Sequence, residues 1–437
     1  MKTSIQLLDC TLRDGGYLVD TMFGETFVKG FTRSMTDAGL NVVEVGFLKD
    51  EPHRTGSTIY NNAAQIRPYL PRQRREGVSY VCLSDYSRYH ISNLEPYDGT
   101  SIDGVRACFF KKERKDVLDF CREIKRKGYK LYVQPVDILG YSDEELLDLI
   151  ADVNEIGPYA FSTVDTFGSM YPEDLPRVFR LINEHLAPGV RMGFHSHNNL
   201  QMSFALSQEF ARLANGVRDI TIDATLCGMG RGAGNTNTEL VASYLNSHWG
   251  AHYDLDVLLD AVDNYMGSMR SRCTWGYSVP YFLAGIYSAH VHNITYLSDK
   301  PSVRAKDMRF VLEQLPADVR KRYDYDLVDK LYASRLASTG DDSTSRNVFA
   351  KKVEGRSVLL VMPGPTSRTY ADKVAAWKQA HNALTITVNQ LPAEGEPLPD
   401  LCFFSNPKRY DYWKHDPHFA QVDKVLTSNL CESEGEG

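Results

Sequence analysis

The segment "LLDCTLRDGGYLVD", residues 7–20, decides how this chain is read. It opens as a short apolar run of strand length. The strand then gives way to Arg13, Asp14, two glycines and Tyr17 rather than to an ordinary turn. An opposite-charge pair at the mouth of a strand is positioned for chemistry. The question is whether other strands in the chain end in the same way.

They do. From the N-terminus to about residue 250, short β-rich runs alternate with longer amphipathic ones. The strand-like runs cover residues 4–9, 41–46, 78–83, 104–109, 130–136, 160–165, 190–195 and 219–224. Helical periodicity falls on 26–38, 114–127, 142–156, 172–185 and 200–215, and is weakest between the third and fourth strands. Eight such repeats in about 250 residues are the requirement of a TIM (β/α)8 barrel. A doubly wound open sheet shares the alternation. The strand ends favour the barrel: Glu44 lies in the second run, Asp165 closes the sixth, His195 and His197 end the seventh, and Gly228–Asn235 follows the eighth. Barrel active sites form where the strands end.

The sequence therefore divides into a barrel domain (1–250), a helical extension packed on it (251–345) and a small Rossmann-like α/β unit (346–437). The stretch "RLASTGDDSTSR" (335–346) reads as a polar, flexible linker. The tail "CESEGEG" reads as acidic and disordered. Within the last unit, "VMPGPTS" follows a strand but lacks the dinucleotide fingerprint and its distant acidic residue. A structural or interaction role suits that unit better than nucleotide binding.

Composition excludes several classes. A net charge of −7 without a basic block gives nucleic acid no footprint. No apolar run approaches the roughly 18–20 residues that span a bilayer, and the first residues lack a secretory layout. The eight cysteines contain no CxxC pair, which fits reduced thiols and a cytoplasmic chain.

"GFHSHNN" sets His195 and His197 two positions apart, so on a strand both imidazoles share a face. Alone, the pattern also fits one buried and one exposed histidine. Asp14 strengthens the metal reading. In a closed barrel its strand lies two places from the seventh, and two histidines with one carboxylate form an open cation site. "CGMGRGAGNTNTE" spaces its glycines wrongly for a dinucleotide loop; they let backbone approach a ligand, with Asn235 offering an oxygen.

Together "DCTLRDGG", "VEVGF", "GFHSHNN" and "GMGRGAGN" resemble the metal-dependent HMG-CoA-lyase-like family, the DRE-TIM metallolyases, and within it the 4-hydroxy-2-oxovalerate aldolase branch. The resemblance spans about residues 4–295 and returns at "LAGIYSAH". It implies Asp14, His195 and His197 as ligands of a divalent metal, with Asn235 approaching it. Mn²⁺ is the expected ion, with Mg²⁺ or Co²⁺ as substitutes. It implies a lyase acting on a small 2-oxo acid such as pyruvate through an enolate, with Arg13 and Glu44 as signature residues. Tyr287 matches a tyrosine near the active site. Asp165, Gly230 and Gly232 are substrate-side candidates, as are Gln134 and Asp137 at the end of the fifth strand. The family habit is a homodimer, and a partner enzyme docks on its C-terminal region. Tyr17 departs from the pattern, because the aldolases carry their histidine base there. Tyr17 is then a base or acid of lowered pKa, a hydrogen-bonding group, or the mark of different chemistry. An acyl-CoA-dependent Claisen condensation within the family and a non-catalytic metal-binding scaffold are the alternatives.

Overall fold

The structure is a computed structural model that describes residues 3–300, 303–338, 342–392, 397–427 and 430. The chain divides into two compact units, Met1–Tyr325 and Asp326–Gly437.

In the first unit, nine parallel strands follow in order: β1 (Ile5–Asp9), β2 (Val42–Leu48), β3 (Ile59–Tyr60), β4 (Ser79–Asp85), β5 (Gly104–Phe109), β6 (Lys130–Pro135), β7 (Ala160–Asp165), β8 (Arg191–Ser196) and β9 (Ile220–Ala224). All but β3 close into an eight-stranded barrel, since β1 pairs with both β9 and β2. The TIM barrel expected from the alternation is the fold. Helices such as Glu25–Asp37, Asp143–Ile156 and Ser203–Ala214 bury one apolar stripe against the outer face of the strands. Inside, alternate residues fill the barrel. Leu8, Cys10, Val42, Val81, Tyr132 and Ala160 form an apolar layer. One step further along each strand, the same inward face carries Glu44, Arg106, Gln134, Ser162, His195 and Asp223. All six are buried.

The two-residue strand β3 has no sequence signature. It pairs with Phe47 and Leu48 on the edge of β2 that β1 leaves when the chain turns into a helix. Gly46 makes this possible. Its φ is +142°, and a Cβ there would sit 2.1 Å from the Thr58 carbonyl oxygen. The register with β4 shifts at the same point, a bulge that bends the strand end.

Beyond the barrel, helices Val279–Ile286 and Val291–Ser298 continue the first unit, and their residues wall the cavity at the strand ends. The second unit holds four parallel strands in sequence order, β10 (Val358–Val361), β11 (Leu384–Val388), β12 (Leu401–Phe404) and β13 (Asp423–Leu426). One apolar cluster gathers Leu391, Cys402, Phe404 and Val422, and a second gathers Leu384, Ile386 and Leu401. The stretch read as a flexible linker is helical where it is described, at the end of Tyr325–Ser338 and the start of Ser343–Val353. The Asp342–Arg346 pair, 2.7 Å apart and four residues apart in sequence, supports that start. Residues 339–341 and the acidic tail 431–437 lie outside the described residues. Among the described residues, no helix is long and apolar enough to cross a membrane.

Candidate metal centre and cavity

After β1 the chain folds into a single helical turn, Thr11–Asp14. The backbone N–H groups of Arg13 and Asp14 both donate to the Cys10 carbonyl, at 3.1 and 2.8 Å. That turn aims both side chains at the barrel axis. His195 in β8 and His197, one residue past its end, alternate onto the same inward face. Asp14 Oδ2 lies 3.2 Å from His195 Nε2 and 3.7 Å from His197 Nε2, with all three residues buried.

His195 Nδ1 lies 3.1 Å from Asp223 Oδ2; in the neutral ring with its proton there, Nε2 turns a lone pair toward the Asp14 carboxylate. Neither oxygen of Asp14 accepts a well-aligned hydrogen bond, and both amide atoms of buried Asn235 lack a partner. Buried polar atoms are seldom left so. Ligand atoms of Asp14, His195 and His197 all lie within 4.8 Å of one another. Two imidazole nitrogens and a carboxylate are a donor set that fits a divalent cation.

Asn235 is brought there by the glycine-rich loop after β9. The Asn198 N–H donates to the Gly234 carbonyl at 2.8 Å, and Asn235 bridges to His197. Gly230 has to be glycine, since a Cβ would stand 2.2 Å from Asn235 Nδ2.

Behind the cluster runs a chain of buried charges. Arg13 Nε donates to Glu44 Oε2 at 2.8 Å and its Nη1 lies 3.1 Å from Asp14. The same Glu44 oxygen lies 2.9 Å from Arg106 Nη1, and Arg106 Nη2 pairs with Asp223. With its amide oxygen turned toward the guanidinium, Gln134 accepts from Arg106 Nε at 3.0 Å. Burial alone would raise the Asp14 pKa, but Arg13 and the two histidines hold it well below the carboxylate range. Burial pushes His197 down to about 3, against the pull of Asp14, so this ring stays neutral. Burial also disfavours the His195 cation, yet Asp14 and Asp223 on either side raise its pKa. Two arginines, three carboxylates and neutral imidazoles leave one negative charge uncompensated.

Above the cluster opens a cavity of about 760 Å³. Arg13, Tyr17, Gln134, His195, His197 and Gly232 line it. Tyr17 is 42% exposed, its ring edge-on to Phe47 at 5.4 Å and its face under the Arg231 guanidinium at 4.7 Å. Its pKa is raised, because burial outweighs Arg231 and Arg13. Without a bound cation the phenol keeps its proton at neutral pH.

Other expected residues lie elsewhere. Tyr287 is not among the cavity's lining residues; its hydroxyl donates to Glu313 at 2.6 Å and accepts from Arg309. Asp165 turns away from the cavity and accepts from the Ser169 and Met170 N–H groups, holding the loop after β7. Asp137 pairs with Lys321 at 2.5 Å. The residues that sequence reading missed are Arg106, Asp223, Arg231, His290 and His292. An arginine inside "GVRACF" and an aspartate inside "ITIDA" carried the signal for the first two, since a charge on a buried strand needs a partner.

Comparison with known proteins bears on the family. Residues 90–263 match the HMGL-like family. The chain is 30% identical over 269 residues to an oxaloacetate decarboxylase of Mycobacterium tuberculosis, covering 60% of this chain and 76% of that one. It is 25% identical to a 4-hydroxy-2-oxovalerate aldolase of Geobacillus genomosp. 3, over 70% and 90% of the two chains. In three dimensions it resembles the N-terminal domain of a putative aldolase from Bacteroides vulgatus, with a TM-score of 0.55, 24% identity and coverage of 68% and 97%. On the fold and these similarities, the chain belongs to the HMGL-like family of carbon–carbon lyases.

Proposed function

We propose that the cavity binds a small 2-oxo acid and makes or breaks a carbon–carbon bond next to its keto group. The metal ligands in this reading are Asp14, His195 and His197, with Asn235 beside them and Mn²⁺ as the ion; Mg²⁺ or Co²⁺ can replace it. A divalent cation supplies a Lewis acid for an enolate, and it turns the single uncompensated negative charge into a positive one that suits an oxo acid's carboxylate. Arg13 is held rigid by Glu44 and gives a fixed donor for the enolate oxygen, worth about 3 kcal/mol in a water-poor site. In the cleavage direction, the bond between C3 and C4 of a 4-hydroxy-2-oxo acid breaks. Its electron pair moves toward the keto oxygen, the C4 hydroxyl passes its proton to water in the open cavity, and C3 is protonated to give pyruvate and an aldehyde. Tyr17, protonated at the cavity wall, is the donor for that last step.

The observation that carries this reading is the convergence of His195 Nε2 and His197 Nε2 on Asp14 Oδ2, at 3.2 and 3.7 Å. The test is pyruvate release from 4-hydroxy-2-oxopentanoate with Mn²⁺. Release that stops on chelation and falls about 10²-fold or more in Arg13→Met supports it. Release that persists without metal overturns it. A second reading, decarboxylation of a 3-carboxy-2-oxo acid, is favoured by Tyr17 itself. Loss of CO₂ needs no base, only a proton donor for the enolate, and that is what a phenol of raised pKa provides. Carbon dioxide release from oxaloacetate that falls in Tyr17→Phe would support it.

A further inference from the structure

The charge lining the cavity does not match a substrate with an uncharged end. Seven lysine or arginine side chains line the cavity against three acidic ones, in a chain whose net charge is −7. Some of these cations have carboxylate partners: Lys321 has Asp137, Arg322 has Asp318 at 3.6 Å and Arg88 has Asp85 at 3.4 Å. Arg231 is different. Its named contacts are the Tyr17 ring and His290, and among the described residues no carboxylate lies within ion-pair distance.

The contact with His290 is itself incomplete. His290 Nδ1 accepts from the His292 N–H at 3.2 Å. In a neutral ring this places the proton on Nε2. Nε2 faces Arg231 Nη1 at 3.5 Å, so two donors point at each other. Burial first, and then Arg231, hold the ring neutral. Converging donors without an acceptor are satisfied by an anion placed between them, and a guanidinium matches carboxylate and phosphate oxygens two at a time. Beside the pair lies a niche that also touches His197, so this spot borders the metal centre.

We propose that Arg231 and His290 form an anion subsite, so that the fragment leaving the 2-oxo acid carries a carboxylate or a phosphate of its own. Tyr17, which stands where the aldolase pattern has histidine, is then the platform on which the Arg231 guanidinium lies. This rests on the proposed oxo-acid chemistry for the identity of the substrate, but not for the existence of the subsite.

Two experiments separate the two. In the first, inorganic phosphate and malonate are titrated into metal-free protein by calorimetry. Binding that weakens at least tenfold in Arg231→Met and is largely kept in Arg231→Lys supports the subsite, and the tighter of the two anions names the group. No binding, or equal binding by the Met variant, overturns it. In the second, Mn²⁺-loaded enzyme is given 4-hydroxy-2-oxoglutarate, 4-hydroxy-2-oxo-5-phosphopentanoate and the uncharged-ended 4-hydroxy-2-oxopentanoate. Expected is a preference of at least tenfold in kcat/KM for one charged substrate over the uncharged one, a ratio that collapses toward one in Arg231→Met. Equal losses for all three would put Arg231 on the oxo acid's own carboxylate and overturn the proposal. Anion binding through Arg231 without cleavage of any of the three substrates would count against the proposed reaction and leave the subsite standing.

Discussion

The two units of this chain are both built from parallel strands, yet among the described residues only the first buries charge. In the barrel, Glu44, Arg106, Asp223, Asp14 and Arg13 are nearly inaccessible and linked side to side. In the four-stranded sheet, the buried polar residues are Thr385 and Thr387, and the rest of the buried set is aliphatic, aromatic and one cysteine. Taking five ionised groups out of water is costly unless each finds its partner. A strand arrangement does not by itself demand that cost, so the barrel's polar layer reports function where the sheet's reports packing.

The sharpest way to break this comparison is to remove a charge from one unit and bulk from the other. Arg106→Met keeps the volume but takes one cationic partner from each of Glu44 and Asp223, leaving them Arg13 and His195, and should cost about 3–5 kcal/mol in urea unfolding or prevent folding. A loss under 1 kcal/mol would mean that the network is not coupled as its distances suggest. Phe404→Ala empties the centre of the second unit, where the ring packs on Tyr410 and Phe419, and should cost about 3 kcal/mol. It should leave Mn²⁺ affinity unchanged, whereas Arg106→Met should lower it. Equal effects on metal binding would erase the distinction between the two units.

A smaller effect concerns Asp9, at the end of β1. Burial raises its pKa to about 6, against hydrogen bonds from Thr238 and Thr11. A folded-state pKa above the unfolded value means that the folded chain holds the proton more tightly. The stabilising contribution is therefore complete below about pH 4 and is lost as pH rises through about 6. Asp9→Asn cannot titrate, so its stability relative to the parent should rise by the order of 3 kcal/mol between pH 4 and 7. A flat difference across that range would show that Asp9 is ionised throughout.

Much of this was legible in the residues alone, and the exceptions have physical reasons. The strands at 104–109 and 160–165 coincide with β5 and β7, because β-rich runs bounded by turns are strong local signals. Strand β3 was invisible, since two residues carry no period and its pairing depends on a bulge at Gly46. Asp14, His195 and His197 could be brought together on paper because barrel closure fixes which strands are neighbours. Arg231 and His290 could not, because the fold of a glycine loop and of a helical extension sets their meeting, and no periodicity encodes it. The ends of the polar stretch at 335–346 are helical because charged residues spaced four apart also suit an exposed helix.

The central claim is that Asp14, His195 and His197 hold one cation. It is tested most directly by titrating Mn²⁺ into metal-free protein and following the free ion by electron paramagnetic resonance, with Asp14→Asn and His197→Ala alongside. The account predicts one tight site per chain in the parent and at least tenfold weaker binding in each variant. Equal affinity in all three proteins would contradict it.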